Sequence, residues 1–302
     1  MRVSRRRILM LAAAAGLSPV SGGAAAAPDL VWTGTALGAN AEIRLAGLEQ
    51  PEATRAAKLA VDECGRLEAV FSLYRPDSEL SRLNRDGVIE RPSHDFRLLL
   101  EQSLRIWEAS DGAFNPAIQP VWRFLASHFA TSTAAPDPEG LARALRHCDP
   151  AAITLSPQRI ALRPGMALTF NGIAQGYITD AAAAILRGQG LTSVLISLGE
   201  TLALPGKTWR VGVAGSSLVV PLIDGAIAQS SGRATRFTSD GRWHHLIDPE
   251  TGASANHLTS ITVTAPSAAL ADAISTALFV APPERHPAIA GRFAGMRIVE
   301  RG

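Results

Sequence analysis

The residues best suited to chemistry lie in the second half of this 302-residue chain. Asp272 and Thr276 stand four apart in a segment whose pattern predicts a helix, so their side chains project from one face. A carboxylate and a hydroxyl are hard oxygen donors, suited to Mg²⁺ rather than to zinc or copper. Taken alone, the pair also fits a surface Asp beside a Thr that bonds back to a helix carbonyl. His244-His245-Leu246-Ile247-Asp248-Pro249-Glu250-Thr251-Gly252 runs from a strand pattern into a Pro/Gly turn. A histidine beside such a turn can act as a general base near neutral pH. Equally, Asp248 could bond local backbone amides and the histidine could simply be exposed.

Three further clusters could line a ligand site. Asn171-Gly172-Ile173-Ala174-Gln175-Gly176-Tyr177-Ile178-Thr179-Asp180 sets glycines at a predicted helix start, where backbone groups can approach a ligand and phosphate is favoured. Gln229-Ser230-Ser231-Gly232 and Gly199-Glu200 each end a predicted strand with small or polar groups, and read either as anion sites or as ordinary turns. Phe71-Ser72-Leu73-Tyr74, followed by Arg75 to Asn84 with Ser78 and Glu79, sets aromatics beside a polar turn that could support a flat ring, or is a helix end with a solvated face.

Several familiar chemistries are absent from the sequence. It has no GxxxxGK[ST] phosphate loop, no GxGxxG after a strand, no HExxH, no zinc-spaced histidines and no GxSxG elbow. No nucleic-acid-reading motif or basic stripe is present.

The elements that must position these residues follow from periodicity. Thr33 to Leu45 reads as two strands about a turn at Gly38. Pro51 to Leu73 reads as a helix with apolar positions at Ala57, Ala60, Val61, Cys64, Leu67 and Phe71. Ser93 can cap a helix carrying Phe96, Leu99, Leu100, Leu104 and Trp107, stopped near Asp111-Gly112. A short helix is expected from Pro138 to His147 after a polar loop. Beyond Pro150, short strands are expected at Ile153–Leu155, Arg159–Leu162, Leu168–Phe170, Val194–Leu198, Trp209–Val213, Leu218–Ile223, Ala226–Gln229, His244–Ile247 and Met296–Val299. Helices are expected over Ile173–Leu186 and Ala268–Val280, the second stopped by Pro282-Pro283. Mixed strands and helices without βαβ alternation predict an α+β fold, one large domain or two intimate lobes.

The N-terminus carries Arg2, Arg5, Arg6 and Arg7, a short apolar stretch to Leu17 and small residues from Ser21 to Ala27, the layout of an export signal over residues 1–27. The arginines after Ser4 resemble a twin-arginine signal, which implies a periplasmic destination. The apolar middle is shorter than the about 20 residues that span a bilayer, so no stable membrane anchor is expected. Without those four arginines, 25 basic residues face 27 acidic ones. Hydrophobic residues at 47% and charged ones at 19% describe an ordinary globular chain over residues 28–302. Cys64 and Cys148 match no metal spacing; they are either buried thiols or a disulfide.

In this order, the clusters resemble the ApbE-type FAD:protein FMN transferases, from about Gly34 to Phe279. Gly34-Thr35-Ala36-Leu37-Gly38 resembles the family's opening strand, and Ser110-Asp111-Gly112-Ala113-Phe114-Asn115-Pro116 a further block near Trp107. The resemblance implies two lobes of mixed sheet and helices with a flavin cleft between them. It implies FAD as substrate, contacted by Tyr74, Ser78, Glu79, Phe114, Gly172, Gln175, Gly176, Asp180, Gly199 and Ser230. It implies Mg²⁺ held by Asp272, Thr276 and the backbone carbonyl of Ala174, with His245 as base and Asp248 orienting it or binding the turn. The implied reaction moves FMN from FAD to a Thr or Ser hydroxyl of a periplasmic or membrane flavoprotein and releases AMP. A twin-arginine leader on this family further implies a dedicated acceptor, such as a membrane regulator of nitrous oxide reduction. The chain departs from the family pattern at Gln175, where Lys is usual, at Glu200, where a second Gly is usual, and at Gln229, where Thr is common. These departures leave two alternatives: a hydrolase splitting FAD into FMN and AMP, or a non-catalytic FAD-binding accessory protein.

Overall fold

In a computed structural model, which describes residues 18–19, 29–36 and 39–302, the centre of the molecule is a seven-stranded antiparallel sheet. Its strands are β1 (Leu30–Ala36), β2 (Ala39–Leu45), β6 (Val194–Ser197), β7 (Thr201–Ala203), β10 (Gly225–Ser231), β11 (Ser260–Ala265) and β12 (Arg297–Arg301), in the order β12-β11-β10-β7-β6-β2-β1. A second small sheet orders β3 (Val88–Glu90), β5 (Arg159–Ala161) and β4 (Thr154–Leu155). The hairpin of β8 (Trp209–Gly212) and β9 (Val219–Leu222) forms a third, with Ser18–Pro19 paired antiparallel to β8. The rest of the expected export signal, and the turn at Gly38, lie outside the described residues.

Alternation along the central strands assigns the two faces of the large sheet. Ile196, Leu202, Ala226 and Ala228 enter the main core, while Leu195, Ala203 and Ile227 enter a second cluster with Trp209, Val211 and Leu222 of the hairpin. Helices α1 (Gln50–Phe71), α6 (Ala174–Gly188) and α7 (Ala268–Val280) pack side by side, with α7 against β10 and β11. The remaining helices are α2 (Glu79–Asp86), α3 (His94–Ala109), α4 (Gln119–Phe129), α5 (Pro138–Leu145) and α8 (His286–Ala290). Among the described residues, no helix is long and apolar enough to cross a membrane.

Two helices matter most for the site. On α1, the buried positions Ala53, Ala57, Ala60, Cys64, Leu67 and Phe71 follow the helical period. Helix α7 matches its expected limits residue for residue, begins at Ser267, whose hydroxyl accepts from the Leu270 N–H at 3.3 Å, and is buried on nearly every side. Its five alanines (268, 269, 271, 273 and 277) let strands and helices approach it closely. A helix that is apolar all round belongs inside a protein, which makes Asp272 on it a buried carboxylate that needs a reason.

A smaller lobe stands beside this body. Val121 and Leu125 of α4 pack with Cys148 and Ile247, and around them lie Trp122, Phe129, Phe237 and Trp243. The expected α+β fold is therefore observed, with a cleft running between the α6–α7 face and this aromatic cluster. Helices α2, α4 and α8 and strands β3, β7 and β11 are not anticipated by periodicity.

Two expected strands are absent. Leu168–Phe170 is irregular because the Asn84 side chain replaces a strand partner: its Nδ2 donates to the Leu168 carbonyl at 2.8 Å and its Oδ1 accepts the Leu168 N–H at 2.6 Å. His244–Ile247 forms only isolated bridges to Arg236 and Ser254, since the Ser254 hydroxyl takes the His244 N–H at 2.7 Å.

Candidate active site

The cleft holds a cavity of about 290 Å³. Its walls bring together residues far apart in sequence: Tyr74, Phe114, Gly172, Ala174, Gln175, Gly199, Glu200, Ser230, His245, Asp272 and Thr276. Phe71 and Asn171, from the clusters singled out in the sequence, add to the lining, and so does Trp122, which no cluster included. The Tyr74 hydroxyl pairs with the Asn171 side chain.

Asp272 and Thr276 lie one turn apart on α7, and Thr276 is among the few positions of that helix partly open to the cleft. Asp272 Oδ2 accepts the Gly176 N–H at 3.2 Å. The Ser230 hydroxyl lies 2.7 Å from that of Ser275 and 3.4 Å from Thr276 Oγ1. Gly172 backs this corner: a Cβ there would sit 3.0 Å from Thr276 Oγ1 and 3.4 Å from the Phe114 ring. Gly199 adopts φ +106°, and a Cβ on it would meet the Gln175 amide at 2.8 Å.

Charge in the cleft is one-sided. Asp272 is buried, and so is Glu200, at 8% exposure. Burial raises the Asp272 carboxyl to about 7. Burial, and then the neighbouring Asp272 charge, push Glu200 well above the usual carboxylate range. Glu200 Oε2 is buried and has no hydrogen-bond partner. No lysine or arginine is among the residues that line the cavity. Among the described residues, no three His, Cys, Asp or Glu side chains converge as a metal cage. Carboxylate and hydroxyl oxygens, an orphaned buried oxygen and a wall without basic side chains suit a hard dication that takes its remaining ligands from water or phosphate. Mg²⁺ fits these residues.

His245 lies on another stretch of the wall. Its backbone N–H donates to the Thr235 carbonyl at 3.1 Å, and its Nδ1 lies 3.1 Å from the same oxygen. A carbonyl only accepts, so Nδ1 carries the hydrogen and Nε2 is left as the basic nitrogen. Burial lowers the His245 pKa to about 4, opposed by the Thr235 bond, so the ring is neutral at physiological pH. His244 is a packing residue: it is 3% exposed, stacks edge-on against Phe279 of α7 at 5.7 Å, and its Nδ1 accepts the Leu246 N–H.

Five expected residues stand outside the cavity wall, each with a structural task. The Asp248 carboxylate accepts the Glu250 N–H at 2.9 Å and the Thr251 hydroxyl at 2.8 Å, so it binds the turn, and the Thr235 carbonyl orients His245 in its place. Ser78 caps α2 by accepting the Ser81 N–H at 3.0 Å. Glu79 accepts the Ser93 N–H at 2.9 Å, at the start of α3. Gly176 serves the helix crossing: a Cβ there would overlap the Ala268 carbonyl oxygen. Asp180 accepts the Ala268 and Ala269 N–H groups at 2.7 and 2.9 Å, capping α7 from α6.

A helix-borne carboxylate and hydroxyl thus share an aromatic-lined cleft with a neutral histidine. The chain belongs to the ApbE family, whose model matches residues 37–299. It is 32% identical over 264 residues to an FAD:protein FMN transferase of Treponema pallidum, covering 76% of this chain and 72% of that one. It is 28% identical over 307 residues to an FAD:protein FMN transferase of Vibrio cholerae, covering 93% and 90%. Its fold matches the apo flavinyl transferase ApbE of Pseudomonas stutzeri with a TM-score of 0.78 at 25% identity, covering 88% of each chain.

Proposed function

We infer that this chain transfers the FMN half of FAD to a protein acceptor, the activity named for its curated relatives. The observation that carries the reading is the shared cleft: His245, neutral and basic at Nε2, lies in one cavity wall with Asp272 and Thr276. The aromatic lining of Phe71, Tyr74, Phe114 and Trp122 suits an isoalloxazine ring.

A Thr or Ser hydroxyl of the acceptor is a poor nucleophile at neutral pH and needs a base. Its proton passes to His245 Nε2, its oxygen bonds to the phosphorus on the FMN side, and the bond from that phosphorus to the AMP phosphate breaks. The products are a phosphoester-linked FMN and AMP. The Thr235 carbonyl holds the imidazole in the tautomer this step requires. Asp272, Thr276 and the Ala174 carbonyl are the groups that would hold Mg²⁺, which would supply charge neutralisation on the pyrophosphate. The Arg5–Arg7 leader supports an acceptor outside the cytoplasm, a periplasmic or membrane flavoprotein.

The test incubates the protein with FAD, Mg²⁺ and a candidate acceptor, then looks for flavin fluorescence on the denatured acceptor band. Fluorescence should vanish in an acceptor Thr→Ala control. With His245→Gln it should form roughly 10²–10⁴-fold more slowly. AMP released at full rate without any acceptor would replace this reading with FAD hydrolysis, and FAD left intact in every mixture would replace it with a binding role.

A further inference from the structure

The cleft has more buried carboxyl groups than the proposed reaction uses. Asp272 has a role toward a cation, whereas Glu200 has none assigned. Yet Glu200 lines the same cavity, is buried, and leaves Oε2 with no partner. An unpaired buried carboxylate oxygen costs free energy, and such atoms are rare enough in folded proteins to call for a ligand. Nothing beside it on the cavity wall can act as a counter-ion: the wall contains no lysine or arginine, and His245 is neutral. The other polar groups beside it are uncharged: the Gln229 backbone N–H bonds the Glu200 carboxyl, and the Gln175 amide packs over the adjacent Gly199.

We propose that Glu200 is an additional carboxylate ligand of the divalent cation held by Asp272 and Thr276, so that this chain binds the cation before and without FAD. The proposal rests on the transferase reading for the place of the cation, and adds the order of binding. A site with one carboxylate and a hydroxyl leans on substrate phosphates to hold Mg²⁺. Two carboxylates balance both charges of the ion from the protein side alone. The orphaned Oε2 then gains its missing partner, and the wall becomes neutral enough to receive a pyrophosphate.

The probe is Mn²⁺ alone, titrated into the full chain without FAD and followed by the loss of the free-ion electron paramagnetic resonance signal. The unmodified chain should take up one Mn²⁺. Glu200→Gln, nearly the same shape, should weaken that uptake by roughly 10- to 100-fold. Glu200→Asp keeps the charge on a shorter arm and should fall between them, which guards against a variant that misfolds. Adding FAD should recover much of the lost affinity in Glu200→Gln, because phosphate oxygens then complete the shell. Uptake by Glu200→Gln equal to that of the unmodified chain would overturn the proposal, as would no uptake by the unmodified chain until FAD is added. That last outcome would leave the transferase reading standing, since FMN transfer is read separately on the acceptor band.

Discussion

Asp180 offers the sharpest separation between a ligand contact and a scaffold role. Its carboxylate accepts two backbone N–H groups at the start of α7, from Ala268 at 2.7 Å and Ala269 at 2.9 Å. Replacing it with Ala removes both bonds and strands two donors at a partly buried helix terminus. A hydrogen bond to a charged group contributes about 1.5–3 kcal/mol. Burial raises the Asp180 pKa, so part of that gain is already spent on desolvation, and Ser267 still caps the Leu270 N–H. A net loss of about 2–4 kcal/mol follows. For a chain of this size, that lowers Tm by on the order of 3–7 °C. Asp180→Asn keeps one acceptor and should fall in between. The assay is scanning calorimetry at pH 7 without FAD, paired with FAD titration well below the transition. An unchanged Tm with clearly weakened FAD binding would refute the scaffold argument and return Asp180 to the ligand.

Two further outcomes test the electrostatics and the thiols. His245 is held neutral by burial, with a folded pKa of about 4 against an ordinary 6.5, so the stability it contributes is full above about pH 6.5 and is lost as pH falls toward 4. Thermal melts of the protein between pH 4 and 7 should flatten in His245→Gln by no more than about 3 kcal/mol across the range, and an unaltered slope would contradict a buried neutral ring. Cys64 sits in the main core and Cys148 in the α4–α5 cluster, both unpaired, and burial pushes both thiols up to about 11. A thiol reagent at pH 8 should therefore react slowly with the folded chain and find two thiols after unfolding, and a reductant should leave Tm unmoved; a count of zero would mean a disulfide.

What could be read from the sequence depended on whether the determining partner was local. Helix α7 was legible from end to end, because Ser267, an apolar run and Pro282-Pro283 are signals carried by the segment itself. The clustering of Asp272, Thr276, His245 and Gly172 in one cavity followed the order of the motifs. Roles set by distant backbone were not legible. Asp180 and Asp272 are both acids on helices; only the fold reveals that one caps Ala268, 88 residues away, while the other faces the cavity. The orienting partner of His245 is the Thr235 carbonyl, and a main-chain oxygen leaves no trace in residue type. Leu168–Phe170 has strand composition but lost its ladder to the Asn84 amide, a substitution that no periodicity encodes. Glu200 stood out as a departure, but its burial and its orphaned oxygen are properties of the assembled wall.

The identity of that histidine partner shapes the chemistry. A carboxylate on Nδ1 would raise the basicity of the ring and stabilise the imidazolium formed when it accepts a proton. Here the partner is a neutral carbonyl, and the Asp248 carboxylate accepts the Glu250 N–H and the Thr251 hydroxyl instead. With a pKa of about 4, His245 is always available as a base yet gains little by taking a proton. If His245 is the base of the proposed transfer, it would generate little alkoxide ahead of bond formation, and deprotonation would run together with attack. On the proposed reading the greater share of the rate would then come from the phosphorus and the leaving AMP, the side of the cleft lined by Asp272, Thr276 and Glu200. The same logic accounts for the absence of lysine and arginine from the wall. On the proposed reading a fixed basic side chain there would pair with Asp272 or Glu200 and close the wall, whereas the acidic wall would stay open to a cation and, through it, to a diphosphate.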